Sequence, residues 1–154
     1  MSPPQLKESD FWRQVRAKLA NDLTHVCRVE NDAGTGIFDV NACHHGKEVW
    51  IELKVLHGRR IHFRTSQKSW GVRRAEVGGR VLLLVRQDES TVLYDAWPIF
   101  QVTSTKVERD GKSFSIVVDD MPAPIWSGKK PLDWDGLRHA IFWPCGSAEI
   151  GKGQ

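Results

Sequence analysis

Hydrophobic and polar residues alternate most regularly in the run Val-Trp-Ile-Glu-Leu-Lys-Val at positions 49–55. Successive side chains of an extended chain point to opposite faces, so the aliphatic residues share one face and Trp50, Glu52 and Lys54 share the other. This pattern predicts a strand over residues 48–56. A His45-Gly46 turn before it predicts a hairpin with a second strand over residues 37–43.

Helical spacing is clearest near the N-terminus. Phe11, Val15 and Leu19 recur at i, i+4 and i+8, which predicts a helix over residues 9–22 with Ser9 as its N-cap. A second helix is expected over residues 65–77. Thr65 or Ser66 would open it and Gly78-Gly79 would close it. A terminal helix is predicted over residues 133–142.

The unbroken apolar run Val81-Leu82-Leu83-Leu84-Val85 is typical of a strand buried on both faces. Asp110-Gly111 is a hairpin turn signal between two predicted strands. Residues 121–131, with three prolines and one glycine, are predicted to form a loop. The other predicted strands cover residues 24–30, 91–96, 102–107 and 113–118. A Gly34-Thr35-Gly36 turn precedes the strand at 37–43.

This order of elements predicts an α/β sandwich around a central mixed sheet. A chain of 154 residues fits one domain, with its core in residues 8–96 and an extension over residues 97–146. The sequence contains no apolar run long enough to span a membrane and no signal-peptide stretch. We therefore expect a cytoplasmic location, that of the host cell if a phage encodes the chain. Three scattered cysteines argue against a disulfide framework.

The net charge of +3 is small, but its distribution is uneven. Residues 57–80 contain seven basic residues and one acidic residue, Glu76. A concentrated basic patch on a nearly neutral chain is expected of a phosphate-binding surface, although a solvated helix face explains it as well. The candidate DNA contacts in this patch are Arg59, Arg60, Arg64, Lys68, Arg73 and Arg74.

Asp39, Glu52 and Lys54 interrupt otherwise apolar strands, where a charge is costly to bury without a partner. Pairing of the two strands would bring both carboxylates to one side of the hairpin. A Mg²⁺ ion would offset the cost, because it takes carboxylate oxygens together with water and phosphate. Such a site can activate a water for phosphodiester hydrolysis, with Lys54 beside that water. A surface ion pair of Lys54 with the two acids is the simpler alternative.

The run Gly36-Ile37-Phe38-Asp39, followed by Glu52-Leu53-Lys54, resembles the PD-(D/E)XK nuclease superfamily. The resemblance extends from residue 8 to about residue 85 and is closest to the phage and archaeal Holliday-junction-resolvase-like and VRR-NUC branches. It implies a restriction-endonuclease-like α/β/α sandwich. Phe38 stands where the family has a proline before the aspartate.

The resemblance also implies site residues. Asp39 and Glu52 would bind the metal together with the Leu53 carbonyl, and Lys54 would assist the water. A further acidic ligand would be Glu8 or Glu30, a choice that the sequence leaves open. Gln67 would orient the lysine or the substrate. The cofactor would be Mg²⁺, with Mn²⁺ able to replace it.

These observations favour a Mg²⁺-dependent endonuclease that cleaves DNA, with branched or junction DNA as an expected substrate class. A non-catalytic DNA-binding module with the same fold is the alternative. Whether the chain forms a homodimer stays open. Zinc at Cys43, His44 and His45, or at Cys27 and His25, fits no known ligand spacing. Trp70 is assigned to the core, with base stacking as the alternative.

Overall fold

The computed structural model describes residues 5–30 and 36–143. Residues 34 and 35 of the predicted glycine turn and residues 144–146 of the predicted extension lie outside this part. The helices are α1 (Glu8–Leu19), α2 (Thr65–Glu76), α3 (Ala96–Phe100) and α4 (Trp134–Phe142). The strands are β1 (Thr24–Arg28), β2 (Val40–His44), β3 (Lys47–Val55), β4 (Arg60–Arg64), β5 (Val81–Gln87), β6 (Ser90–Asp95), β7 (Thr105–Val107), β8 (Ser113–Val117) and β9 (Trp126–Lys129).

A six-stranded mixed sheet forms the centre of the molecule, in the order β1-β2-β3-β5-β6-β9. Neighbouring strands are antiparallel except β3 and β5, which are parallel. A parallel pair needs a crossover connection, and β4 with α2 provides it. A smaller sheet has the order β4-β8-β7.

The hairpin of β2 and β3 has the predicted two-residue turn. His45 and Gly46 have φ angles of 48° and 77°, and positive φ at both positions is the requirement of a type I′ turn. This turn fixes the register so that Val40 pairs with Ile51. Asp39 lies one residue before β2 rather than within it, because the strand begins at Val40. One residue beyond the pair of Val40 and Ile51, Asp39 lies opposite Glu52.

β3 is longer than its partner β2. Pairing with β2 ends at Ile51, whereas pairing with β5 continues to Val55. Residues 52–55 are therefore paired with a strand on one side only. The segment that carries Glu52 and Lys54 is thus left uncovered on the side of Asp39.

The central sheet separates two hydrophobic cores. On one face, Phe11, Val15 and Leu19 of α1 and Leu137 and Ile141 of α4 pack against the sheet. On the other face, α2, α3 and the smaller sheet form the second core. Leu82 and Leu84 belong to the first core and Leu83 and Val85 to the second, so β5 is buried on both faces as predicted.

Several predicted boundaries are wrong. α1 begins at Glu8 with Lys7 as N-cap, so Ser9 is a helical residue rather than the cap. The helix ends at Leu19 rather than residue 22, where Arg138 of α4 donates hydrogen bonds to the carbonyls of Lys18 and Leu19. Free carbonyls at a helix end need such donors. α2 begins at Thr65, as predicted, with Arg64 as its N-cap, and ends at Glu76, one residue before the predicted end.

Four elements lie outside the prediction: β4, α3, β9 and a short 3₁₀ helix at Val118–Asp120. β9 occupies part of the predicted loop over residues 121–131, because its backbone pairs with the edge strand β6. This pairing and the packing of α4 on α1 and β3 join the C-terminal segment to the main sheet. Among the residues described, no helix combines the length and the apolar character required to cross a lipid bilayer.

Candidate active site

Three carboxylates meet where β3 extends beyond β2. Glu8 is the first residue of α1, Asp39 immediately precedes β2, and Glu52 lies in β3. One carboxylate oxygen of each residue lies within 4.8 Å of the other two. The three chain segments are far apart in the sequence, so the sheet and α1 together create this cluster.

Glu52 is the buried member of the cluster, with 2% of its surface exposed. Its Oε2 accepts a hydrogen bond of 3.1 Å from the backbone N–H of Asp39, and its Oε1 accepts one of 2.6 Å from the Gln67 amide. Burial raises the pKa of Glu52 to about 8, and the negative charge of Asp39 adds to the shift while Lys54 opposes it. The free protein therefore favours a protonated Glu52 near neutral pH.

Lys54 follows Glu52 by two residues and lies on the same face of β3. Its Nζ is 3.5 Å from Glu52 Oε1 and 3.4 Å from Gln67 Oε1. Only 17% of the Lys54 side chain is exposed. The Phe63 ring, with its centroid 5.4 Å from Nζ, forms one wall of this position. A cation is thus held beside the carboxylates by an acid, an amide and an aromatic ring.

Gln67 joins these groups from the first turn of α2. Its amide nitrogen donates to Glu52, and its carbonyl oxygen accepts from Lys54 and from the backbone N–H of Arg64 at 2.9 Å. The bond to Arg64 fixes the amide orientation, because only the oxygen can accept from that N–H. Gln67 therefore positions both β3 side chains.

Glu8 is exposed, and its carboxyl lies against the same cluster. Its pKa is raised, first by loss of solvation and next by the charge of Asp39 and a hydrogen bond with it; Lys54 and Arg28 act in the opposite direction. An acid in the first turn of α1 also suits the positive end of the helix dipole. Loss of solvation is thus the main cause of the raised pKa of both Glu8 and Glu52, and the neighbouring Asp39 adds to it.

The segment before Asp39 is held tightly against α2. Gly36 has φ +76°, and a Cβ there would lie 2.2 Å from the backbone C and O of Ser66 and 2.6 Å from the backbone N of Gln67. Phe38 is 1% exposed and packs its ring 5.2 Å from that of Trp70. These two residues fix Asp39 relative to Gln67.

The structure brings together Glu8, Asp39, Glu52, Lys54 and Gln67 from the predicted site. Within residues 5–30 and 36–143, the carboxylate cluster contains Glu8 and does not contain Glu30. Leu53 lies in the one-sided part of β3, with its side chain buried in the first core. A ligand role for its carbonyl stays a prediction.

The predicted basic patch is divided between β4 and α2. Arg59 forms an ion pair with Asp119, and Arg60 Nε donates to Ser115 Oγ at 2.9 Å. Arg64 and Arg73 are exposed, and Lys68 is half-buried with its Nζ 5.7 Å from the Phe114 ring. The structure therefore leaves part of the patch free and uses part of it in packing.

Arg80 belongs to the same basic stretch but does not contribute to its surface. Its side chain donates 2.7 and 3.0 Å hydrogen bonds to the carbonyls of Ile141 and Ala140. These are carbonyls of the last turn of α4, so Arg80 stabilises a helix end. The expectation that the whole stretch contacts phosphates is wrong at this residue.

Trp70 packs in the second core, as assigned from the sequence. Its ring is 5.3 Å from that of Trp50, and the Arg74 guanidinium lies 5.6 and 5.9 Å from the two ring centroids. The indole N–H of Trp50 is buried and has no hydrogen-bond acceptor within the described residues. Arg74 thus covers an aromatic pair on the second-core side of the sheet.

The sequence did not reveal that Phe63, or the close contact of Gly36 with the start of α2, belongs to the site. Phe63 lies in β4, where only two apolar residues alternate with basic ones, so the pattern was too short to read. Gly36 belonged to an expected turn, but its contact with Ser66 joins segments thirty residues apart. The signal available in the sequence was the glycine three residues before Asp39, because glycine adopts a positive φ without steric cost.

The sequence matches no protein-family model and no curated protein. In fold, the chain is similar to Hjc, a Holliday junction resolvase from the archaeal hyperthermophile Archaeoglobus fulgidus, whose structure is known at 1.6 Å resolution. The TM-score is 0.52 with 18% sequence identity, over 76% of this chain and 88% of that chain. The chain has a restriction-endonuclease-like α/β fold with a central mixed sheet, as the sequence predicted.

Proposed function

We propose that the chain is a divalent-metal-dependent nuclease of the PD-(D/E)XK type that hydrolyses phosphodiester bonds of DNA. The observation that carries the proposal is the cluster of Glu8, Asp39 and Glu52 within 4.8 Å, with the Lys54 ammonium 3.5 Å from Glu52. The similarity of the fold to a Holliday junction resolvase supports it. A surface ion pair accounts poorly for this arrangement, because Glu52 is buried and shares its oxygens with three donors.

The donor set fits a hard divalent cation. All the candidate side-chain ligands are carboxylate oxygens, which suit Mg²⁺ and Mn²⁺ and not the soft metals. Three acids in close contact repel one another unless a positive charge joins them. Burial is the main cause of the raised pKa of Glu52 and of Glu8, and the charge of Asp39 raises both further. A bound cation would supply Lewis acidity and an activated water at the scissile phosphate.

The protein residues have separate roles in this proposal. Asp39, Glu52 and Glu8 would hold the metal, and the Leu53 carbonyl is the predicted backbone ligand. Lys54 hydrogen-bonds the attacking water and offsets negative charge that develops on the phosphate in the transition state. Gln67 is a positioning residue, since it contacts Glu52 and Lys54 rather than a phosphate.

Branched or junction DNA is the proposed substrate class, and internal cleavage the proposed mode. The similarity to a Holliday junction resolvase supports this choice. Contacts with the DNA backbone are assigned to the basic residues of β4 and α2, which would bind phosphates without reading the base sequence. Arg64, Arg73 and Arg74 are the exposed arginines among them.

The test compares cleavage of a synthetic four-way junction and of supercoiled plasmid, with Mg²⁺ or EDTA. The variants are Lys54→Met and, as a matched control, Lys47→Met at the other end of the same strand. We expect Mg²⁺-dependent cleavage that Lys54→Met abolishes and Lys47→Met retains. Cleavage of the junction in preference to the plasmid would establish the substrate class.

Metal-independent cleavage, or equal cleavage by wild type and Lys54→Met, would contradict the proposed site. If the wild type binds junction DNA and cuts neither substrate in Mg²⁺ or Mn²⁺, the chain is a non-catalytic DNA-binding module with this fold.

A further inference from the structure

A buried arginine lies on the opposite face of the sheet from Lys54. Arg86 is in β5, pairs in register with Val55, and is 1% exposed. Its Nε donates to the backbone carbonyl of Asp88 at 2.8 Å, and its Nη1 lies 3.5 Å from Thr91 Oγ1. Both acceptors are neutral groups. Within the described part of the chain, no carboxylate forms an ion pair with this guanidinium.

A charge in this position is unfavourable unless an anion accompanies it. Removing a guanidinium from water has a large desolvation cost, and neutral acceptors recover only part of it. In agreement, burial lowers the pKa of Arg86, an effect that the nearby Glu89 opposes. An arginine that is buried without an acidic partner and opens into a cavity is a candidate anion ligand.

Such a cavity lies between α1, β5 and the segment that follows β9. Its volume is about 390 Å³, within the range of small-molecule sites. The cationic residues in its lining are Arg13, Lys18, Arg86 and Lys130, and the lining contains no carboxylate. Arg13 forms an ion pair of 3.2 Å with Asp10. The cations that remain to bind an anion in this cavity are therefore Lys18, Arg86 and Lys130. Leu132 and Trp134 supply an apolar wall.

A second cavity adjoins Arg86 on its other side, with a volume of about 490 Å³. Asp88 and Glu89 line it, so its electrostatic character is mixed. An anion is therefore expected in the cavity against α1 and not in this one.

We propose that the cavity formed by Lys18, Arg86, Lys130 and Trp134 binds the phosphoryl group of a phosphate monoester. The guanidinium provides a planar donor at the buried end, and the two lysines provide charge at the mouth. Trp134 and Leu132 offer a surface for the organic part of the ester. None of the residues that line the cavity belongs to the carboxylate cluster or positions it, so this proposal does not depend on the nuclease proposal.

The experiment measures thermal unfolding of the full chain against sodium phosphate, in EDTA and at ionic strength held constant with sodium chloride. A ligand that binds only the folded state raises the melting temperature as its concentration increases. We expect a saturable increase for the wild type. Lys130→Gln should weaken the apparent affinity about tenfold, the change expected for loss of one charge-assisted hydrogen bond.

Lys129→Gln is the matched control, because Lys129 is the exposed neighbour of Lys130 and does not line the cavity. It should leave the phosphate response unchanged. Arg86→Met should abolish the response, and without phosphate it should not lower the melting temperature strongly, since it removes a buried charge that lacks an anion. If Arg86→Met fails to fold, the comparison of Lys130→Gln with Lys129→Gln still decides the question.

No saturable response of the wild type, or an equal response of Lys130→Gln and Lys129→Gln, would overturn the proposal. Two further ligands separate the sources of the phosphoryl group. Displacement of phosphate by thymidine 5′-monophosphate but not by a 5′-phosphorylated tetranucleotide would support a free nucleotide. Displacement by both would support the 5′ end of a DNA strand, and displacement by neither would overturn the assignment to a phosphate monoester.

Discussion

At the scale of single residues, the site is organised around one amide. Gln67 accepts from a backbone N–H with its oxygen, and this bond decides which end of the amide meets Glu52. The Glu52 carboxylate then has a donor on each oxygen, and Lys54 has two acceptors. Neither side chain can turn away without losing a hydrogen bond in a half-buried environment, where such a loss costs about 1–3 kcal/mol.

The first prediction concerns this amide. Gln67→Ala should lower the rate of DNA cleavage about 10–100-fold, the usual effect of removing a group that orients a metal ligand. DNA affinity in Ca²⁺ or EDTA should change little, because Gln67 is not assigned to a phosphate. Gln101→Ala, an exposed glutamine at the end of α3, is the control. A cleavage rate equal to wild type would remove Gln67 from the positioning role.

The second prediction follows from the raised pKa of Glu52, about 8 in the metal-free protein. Below that pH the folded chain holds a proton that the unfolded chain releases, so the free energy of unfolding should fall as pH rises from the usual glutamate range through 8. Mn²⁺ must displace this proton, so its affinity should weaken about tenfold per pH unit below 8. Calorimetry and thermal unfolding measure both effects.

Glu52→Gln should remove the pH dependence of stability that this carboxyl causes. Glu48→Gln, an exposed acid on the same strand, should retain it. A pH dependence that is the same in the two variants would show that another group titrates.

At the scale of secondary structure, the site depends on two close fits. The type I′ turn sets the register of β2 and β3, and a register error of one residue would move Glu52 and Lys54 to the other face of the sheet. The contact of Gly36 with the start of α2 sets the distance between the hairpin and Gln67. Neither fit involves a side chain that touches the carboxylate cluster.

The third prediction separates backbone strain from steric exclusion at two glycines of nearly equal φ. Gly46→Ala, with φ +77° and open space around its Cβ, should cost about 1 kcal/mol, the cost of a left-handed conformation for an L residue. Gly36→Ala, with φ +76° and backbone atoms 2.2 Å from its Cβ, should cost about 3 kcal/mol or more. Urea unfolding measures both, and equal costs would refute the proposed close fit.

The sequence predicted those elements whose pattern is local. The alternation over residues 49–55 and the His45-Gly46 turn were sufficient for the central hairpin, and both motif residues of β3 followed from it. β4 was missed because Ile61 and Phe63 are its only buried residues, between three basic or polar ones that face outward. β9 was missed because its pairing with β6 overrides a sequence rich in proline and glycine.

The choice between Glu8 and Glu30 could not be made from the sequence, because it too depends on a contact between distant segments. Both acids lie at chemically suitable places in the sequence, one beginning a helix and one following a strand. Only the packing of α1 on β3 brings Glu8 into the cluster, and such a contact leaves no local pattern. Arg80 was counted in the basic stretch for the same reason, since its partners are sixty residues away in α4.

At the scale of the whole molecule, the helix α2 connects the carboxylate cluster with the exposed cations. α2 carries Gln67 in its first turn and Arg73 and Arg74 in its last. β4 leads directly into α2 and turns Arg60, His62 and Arg64 away from the core. A DNA strand bound along β4 and α2 would therefore pass the start of α2, where the cluster lies.

The fourth prediction tests whether DNA binds along β4 and α2. Arg64→Ala combined with Arg73→Ala should weaken junction-DNA binding and reduce the slope of log K against log salt concentration by about two, one counterion equivalent for each lost phosphate contact. Arg16→Ala with Lys129→Ala, at exposed positions of α1 and β9, makes the same charge change elsewhere. Equal effects of the two double variants would indicate a general charge effect rather than a specific surface.

The two-residue turn between β2 and β3 also limits how this protein can vary in evolution. The residues at 45 and 46 can change to others that accept positive φ, but a single inserted or deleted residue would separate Asp39 from Glu52. Length changes between these two acids should therefore occur in related chains as matched pairs, one residue in each strand.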